Sequence, residues 1–261
     1  MRRRASLTAV LVFGLAASAL AQRGGYQGGF RSSNGNQKYD GRFVFVRISY
    51  DDRWGRGLPH WAHDYPDGEE HLMKIFDAVT TVPGHIEEHN VMSLDDPEIF
   101  KFPVLYMSEP GYWTVSEQQA AALRAHLLKG GFIIFDDFGL SAAEGGSGRR
   151  SPGHWANLEL QMSRALPELH WIDVPKTHAI FHTFYEISDP FNIPQYYDRG
   201  PAIYRALFEN NDPNKRVLAF ANFNTDLSEF WEFSGTGFKP VDETNEAYKV
   251  GVNEFIYAIL H

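Results

Sequence analysis

Apolar residues recur along this chain in two rhythms, short strand-length runs and longer helical stripes. Phe43–Tyr50 alternates like a first strand, and Leu72, Ile75, Phe76 and Val79 then recur at i, i+3, i+4, i+7 as an amphipathic helix. His85–Leu94 holds a second strand and Phe102–Met107 a third, before Ala120, Leu123 and Leu127 form the buried face of another helix. Asp67 with Glu70, and Thr114 with Glu117, read as capping boxes for the two helices. The second helix stops at Gly130-Gly131, and Phe132–Asp136 follows, an Ile- and Phe-rich run too short for a helix. Trp155, Leu158, Met162 and Leu166 mark a third helix and Leu169–Val174 a strand, followed by a long aromatic loop over Asp189–Pro201. Ala202–Glu209 and Lys215–Phe223 read as a hairpin, and Tyr248, Val252, Phe255 and Ile259 as a C-terminal helix. This β-α-β-β-α-β opening predicts an α/β fold with a largely parallel sheet flanked by helices.

The N-terminus breaks both rhythms. Arg2–Arg4, the apolar run Leu7–Leu20 and Ala19-Leu20-Ala21 have the layout of a signal peptide over residues 1–21, cleaved before Gln22. Residues 22–41, rich in Gly, Ser, Asn and Gln, read as a flexible tether, and residues 42–261 as a single domain. The expected location is the periplasm or the outside of the cell, with no membrane span after signal cleavage. The chain has no cysteine, which excludes disulfides, thiolate metal ligands and a Cys nucleophile. Its 24 basic and 33 acidic residues give a net charge of −9; residues 1–21 hold three arginines and no acid, so the mature chain carries −12. That balance excludes a general nucleic-acid binder and suits a small polar ligand, a glycan, a cation or a basic protein partner.

The candidate chemistry lies at strand ends, where open α/β sheets bind ligands. The fourth strand delivers Asp136 and Asp137; side chains of adjacent strand residues diverge, so one is expected to face a crevice while the other caps a helix or takes backbone amides. The crevice residue would serve as a metal ligand, a general base or an acceptor for a sugar hydroxyl. The loop after the first strand adds His60, His63 and Asp64 as further candidate ligands. Trp61 and Tyr65 either stack on a sugar ring or pack as the core of that loop. Glu109 follows the third strand and faces the same crevice beside Tyr112 and Trp113, whereas Ser108 lacks the G-x-S-x-G context of a hydrolase nucleophile. His178 and His182 are four apart, but one H-x-x-x-H near Pro175 is a weak pattern, and no metal site and no cofactor are assigned. Asp226, Glu229 and Glu232 match no EF-type spacing and read as a solvated acidic surface. Gly145-Gly146-Ser147-Gly148 lacks the Lys-Ser/Thr of a P-loop.

Several segments, in order, resemble the bacterial family called domain of unknown function 4159: Phe43–Tyr50, Trp61-x-x-Asp64-Tyr65-Pro66 with Glu69-Glu70-His71-Leu72, Phe102–Met107, Leu123–Asp137, His178-Ala179-Ile180-Phe181, Asn224-x-Asp226-Leu227 and Gly251-Val252-Asn253. That family is similar to the class I glutamine amidotransferase-like superfamily, including trehalose-utilisation-type proteins. The resemblance implies a flavodoxin-like three-layer sandwich and no particular activity. Active amidotransferases hold a nucleophile in a Gly-x-Cys-x-Gly elbow; the matching run here is Phe135-Asp136-Asp137-Phe138-Gly139, with Asp137 at the cysteine position and the first glycine missing. A carboxylate is a far poorer nucleophile toward amides than a thiolate, so glutamine hydrolysis by that route is not expected. The resulting expectation is a non-catalytic ligand- or partner-binding module with Asp64, Glu109, Asp136, Tyr65 and Trp61 at its site. The alternative is a carbohydrate-directed hydrolase or isomerase using Asp137 and His178 for acid–base chemistry, with or without a metal.

Overall fold

The chain's computed structural model describes residues 35–51, 58–140, 153–194 and 200–261; the expected signal peptide and residues 22–34 of the expected tether lie outside them. Among the described residues seven strands form one sheet: β1 (Phe43–Ile48), β2 (Gly84–Met92), β3 (Val104–Ser108), β4 (Phe132–Phe138), β5 (Ile172–Asp173), β6 (Ile203–Phe208) and β7 (Val217–Phe223). Its order is β2-β1-β3-β4-β7-β6-β5. The pairs from β2 through β7 are parallel, and β6 runs antiparallel to both β7 and β5. The five parallel positions follow the doubly wound order 2-1-3-4-5, with β7 taking the last place. β1 therefore lies between β2 and β3, and the loops after β1 and β3 diverge at a topological switch point.

Helices cover both faces, making three layers. Phe43, Phe45, Tyr106 and Ile134 point to the layer of α1 (Asp67–Val79), α4 (Leu227–Glu232) and α5 (Val241–Leu260). Val44, Val46, Leu105, Ile133 and Phe135 point to the layer of α2 (Glu117–Leu128) and α3 (His154–Ala165). Strand alternation thus divides the apolar residues between two cores, and the central strands read as continuous apolar runs because both faces are buried.

Several local expectations shift. Asp67 does not cap α1; the N-cap is Pro66, without a side-chain cap, and Asp67 opens the helix. For α2 the capping box is Ser116 with Gln119, two residues beyond the Thr114–Glu117 pair. The strand expected over Leu169–Val174 is only Ile172–Asp173, paired to β6. Most informative is β7: it does pair with β6 as a hairpin, but its other edge is parallel to β4, which brings the segment after β7 to the carboxyl edge of the sheet. No helix among the described residues is long and apolar enough to cross a membrane.

Candidate functional site

Four chain segments meet above the carboxyl ends of β1, β3, β4 and β7. The first is the loop after β1, held from below by Arg47. This side chain is buried on β1, pairs with the equally buried Glu69 of α1, and donates from Nη1 to the carbonyls of Trp61 (2.9 Å) and His63 (3.0 Å). Burial pushes the Glu69 carboxyl up to about 7 even though Arg47 opposes it. The loop then places His63 and Asp64 at the crest, with Asp64 in the left-handed region (φ 60°).

The second segment is the turn after β3. Glu109 (φ 48°) takes the left-handed conformation and Pro110–Tyr112 forms one 3-10 turn. The third is the end of β4. Its pairing with β7 carries one extra residue between Phe135 and Phe138, and Asp137 in that bulge has φ 56°. A bulge re-aims a side chain, and the two aspartates do diverge. Asp136 keeps the parity of Phe132 and Ile134; its Oδ2 accepts from Tyr106 Oη (2.7 Å) and from the backbone amides of Leu227 and Ser228 (3.1 Å each). It therefore ties the start of α4 to the central strand. Asp137 faces the crest, where Ser108 Oγ donates to its Oδ2 (3.3 Å).

The fourth segment follows β7. Asn224 (φ 58°) turns the chain, and the Asp226 side chain caps α4 by accepting from Glu229 N (3.0 Å). Ser228 Oγ donates to Asp64 Oδ2 (2.6 Å) and lies 3.4 Å from Asp226 Oδ1, so it links the loop after β1 to α4.

Among the described residues two donor sets result, each with ligand atoms within 4.8 Å of one another: His63, Glu109 and Asp137, and Asp64, Asp137 and Asp226. Asp137 belongs to both. The first set mixes imidazole nitrogen with carboxylate oxygen, which suits divalent transition metals; the second is oxygen only, which suits harder cations. His63 Nδ1 lies 2.5 Å from Glu109 Oε1, and His60 Nε2 3.8 Å from Glu109 Oε2. Burial alone would lower the His63 pKa, but the hydrogen bond and charge of Glu109 carry it up to about 10. Burial first, and then the charges of Glu109 and Asp64, push Asp137 well above the usual carboxylate range. Burial and the Asp137 and Asp64 charges do the same to Asp226. Asp64 is raised by burial against the opposing Ser228 hydrogen bond, and Glu232 reaches about 9 through burial and the Asp64 charge. Negative charge is concentrated here, and protons or cations must offset it.

The structure brings Asp64, Glu109 and Asp137 together at the crest and sets Asp136 just beneath as an anchor. It does not bring His178 to them. That ring lies 5.6 Å from the Phe208 ring and 5.7 Å from Tyr257, and its Nδ1 accepts from Ile180 N. Phe208 pairs with Val217, the first residue of β7, so His178 is at the amino end of the parallel strands. About 20 Å of strand separates the two ends, and an Asp137–His178 acid–base pair is geometrically ruled out. Trp61 and Tyr65 are buried; Tyr65 Oη bonds His89 Nε2 (2.8 Å) and its ring meets Trp61 edge-on. They form the loop core and offer no open face for stacking. Asp226 and Glu229 were expected on a solvated surface, yet both are buried. The place of Asp226 just after an apolar strand was visible in the sequence, but the parallel pairing of that strand with β4, which brings Asp226 to the crest, was not.

A family model described as Domain of unknown function (DUF4159) matches residues 44–259. No curated protein matches the chain.

Proposed function

Since the chain belongs to the DUF4159 family, whose description carries no activity, we propose from the site itself that it is an exported binding module holding a divalent cation, and with it a small polar ligand, in the strand-end crevice. The observation that carries this reading is the convergence of five donor side chains from four segments, with Asp137 common to both sets. Export rests on the layout of residues 1–21. The glutamine amidotransferase-like assignment of the scaffold belongs to the same reading, supported by the strand order and by the left-handed turn at Asp137 on the central strand. On that scaffold a carboxylate stands where a thiolate would attack, and a carboxylate is a cation ligand before it is a nucleophile.

The test is calorimetric titration of the purified chain with Mn²⁺, Mg²⁺, Ca²⁺ and Zn²⁺. One or two equivalents should bind, and Asp137→Asn should weaken that binding by about 100-fold. No binding of any of the four at millimolar concentration would overturn the proposal.

A second reading is a carbohydrate-directed hydrolase or isomerase. The close His63–Glu109 pair favours it, because it holds a protonated imidazole, a proton donor, beside Asp137. The pair at work would then be Asp137 with His63. Turnover of a panel of nitrophenyl glycosides, lost in both Asp137→Asn and His63→Gln, distinguishes the enzyme from the binding module.

A further inference from the structure

Beneath the crest, between the sheet and α5, lies a group of polar side chains that neither the cation site nor the apolar core accounts for. Asn222 on β7 shares the parity of Phe220 and so points to the α5 layer, as Asp136 does from β4. Glu254 meets them from α5. One turn earlier on that helix, Gly251 leaves room for Trp231: a Cβ there would stand 2.5 Å from the indole Cζ2 and 3.3 Å from Cε2, the carbon that carries Nε1. Tyr106 closes the group, with its Oη donating to Asp136 Oδ2 and its ring 6.1 Å from that of Trp231.

Asn222, Asp136, Glu254 and Trp231 are all buried. Among the described residues, no hydrogen-bond partner reaches either amide atom of Asn222, either carboxyl oxygen of Glu254, Asp136 Oδ1 or Trp231 Nε1. Native interiors leave few such atoms unserved, and six in one place need a guest that both donates and accepts. Glu254 is coupled to two of the others. Burial first, and then the Asp136 charge, pushes its carboxyl well above the usual carboxylate range, while Asn222 pulls the other way. A neutral carboxylic acid, like water, can donate as well as accept.

We infer that these side chains enclose an internal water site, in which bound water accepts from Trp231 Nε1 and Asn222 Nδ2 and donates to Asp136 Oδ1 and Glu254. At about three hydrogen bonds per buried water, the unserved atoms correspond to about two molecules. Water fits where a bare cation does not, because the Trp231 and Asn222 N–H groups bring the positive ends of their dipoles to the same space. The site also completes the anchor below the crest. Asp136 Oδ2 is held by Tyr106 and the amides of Leu227 and Ser228, and the water holds Oδ1, so the carboxylate next to Asp137 is fixed on both oxygens.

Crystals of the full chain, native and soaked in rubidium chloride, test this together with oxygen-17 relaxation dispersion in solution. The native crystals should show ordered water within about 3.2 Å of Asn222, Asp136 and Glu254, and the soaked crystals no anomalous rubidium peak there. In solution Glu254→Gln, which keeps polar atoms in the same place, should retain the parent's count of long-lived internal waters. Glu254→Met, which puts an apolar stem of similar size in the chamber, should lower that count by about two. A dry chamber with Glu254 bonded directly to Asn222, a rubidium peak within it, or a water count unchanged by Glu254→Met would overturn the inference. The native crystals decide the matter even where Glu254→Met fails to fold.

Discussion

At the amino end of the parallel strands, charges meet partners and rings meet rings. Arg216 donates to the carbonyls of Leu127 (2.7 Å) and Gly131 (2.9 Å), closing the end of α2. His126 packs where only a glycine, Gly131, leaves room for its ring, and burial lowers its pKa to about 4. His178 is likewise lowered by burial. At the carboxyl end Asp64, Glu109, Asp137 and Asp226 crowd together, and burial raises three of them. One end is arranged for the stability of the empty protein. The other carries a concentration of like charge that stability alone does not call for, which is the usual mark of a site that awaits a ligand.

The contrast can be attacked in order of expected effect. Arg47 joins the two halves of the argument, since it neutralises Glu69 in the interior and carries the loop bearing His63. Arg47→Met should cost about 3–5 kcal/mol, the scale for stranding a buried charge, seen as a shifted urea midpoint; a loss under 1 kcal/mol would mean the pair is not structural. The next effect belongs to the amino end. His126 has a folded pKa of about 4, below its unfolded value, so its contribution is complete above about pH 6.5 and is lost as pH falls toward 4. Urea titrations over that range should show stability falling with acid by up to about 3 kcal/mol, and His126→Leu should flatten the slope. At the carboxyl end, Asp137→Asn should weaken cation affinity by about 100-fold while raising the melting temperature of the cation-free protein, because one member of a repelling cluster becomes neutral. A melting temperature that falls instead would assign Asp137 a structural role. The smallest effect is diagnostic: His178→Gln should change cation affinity less than about twofold, as its ring lies at the opposite end of the sheet.

Much of this architecture is legible in the chain itself. Buried parallel strands announce themselves as short apolar runs, so β1, β3 and β4 and the helices between them follow from periodicity. Asp64, Glu109 and Asp137 were reachable because each follows one of those strands. Asp226 was hidden for a topological reason. Periodicity reveals that β6 and β7 form a hairpin but not that the hairpin docks β7 against β4, a long-range pairing decided by packing. His178 misled because sequence order after Asp137 carries no information about which end of the sheet a loop visits. The helix caps failed locally: several residues in each window have side chains able to cap, and the backbone of the preceding turn chooses among them.

Asp64, Glu109 and Asp137 hold their side chains on left-handed backbone, a conformation in which glycine sits with less steric opposition. The crest could therefore be made more robust by the very changes that disarm it: glycine at these three places would relax the turns and discharge the cluster at once. A search for thermally hardened variants that ignores ligand binding should drift toward such substitutions and arrive at a sturdier shell with nothing left to grip.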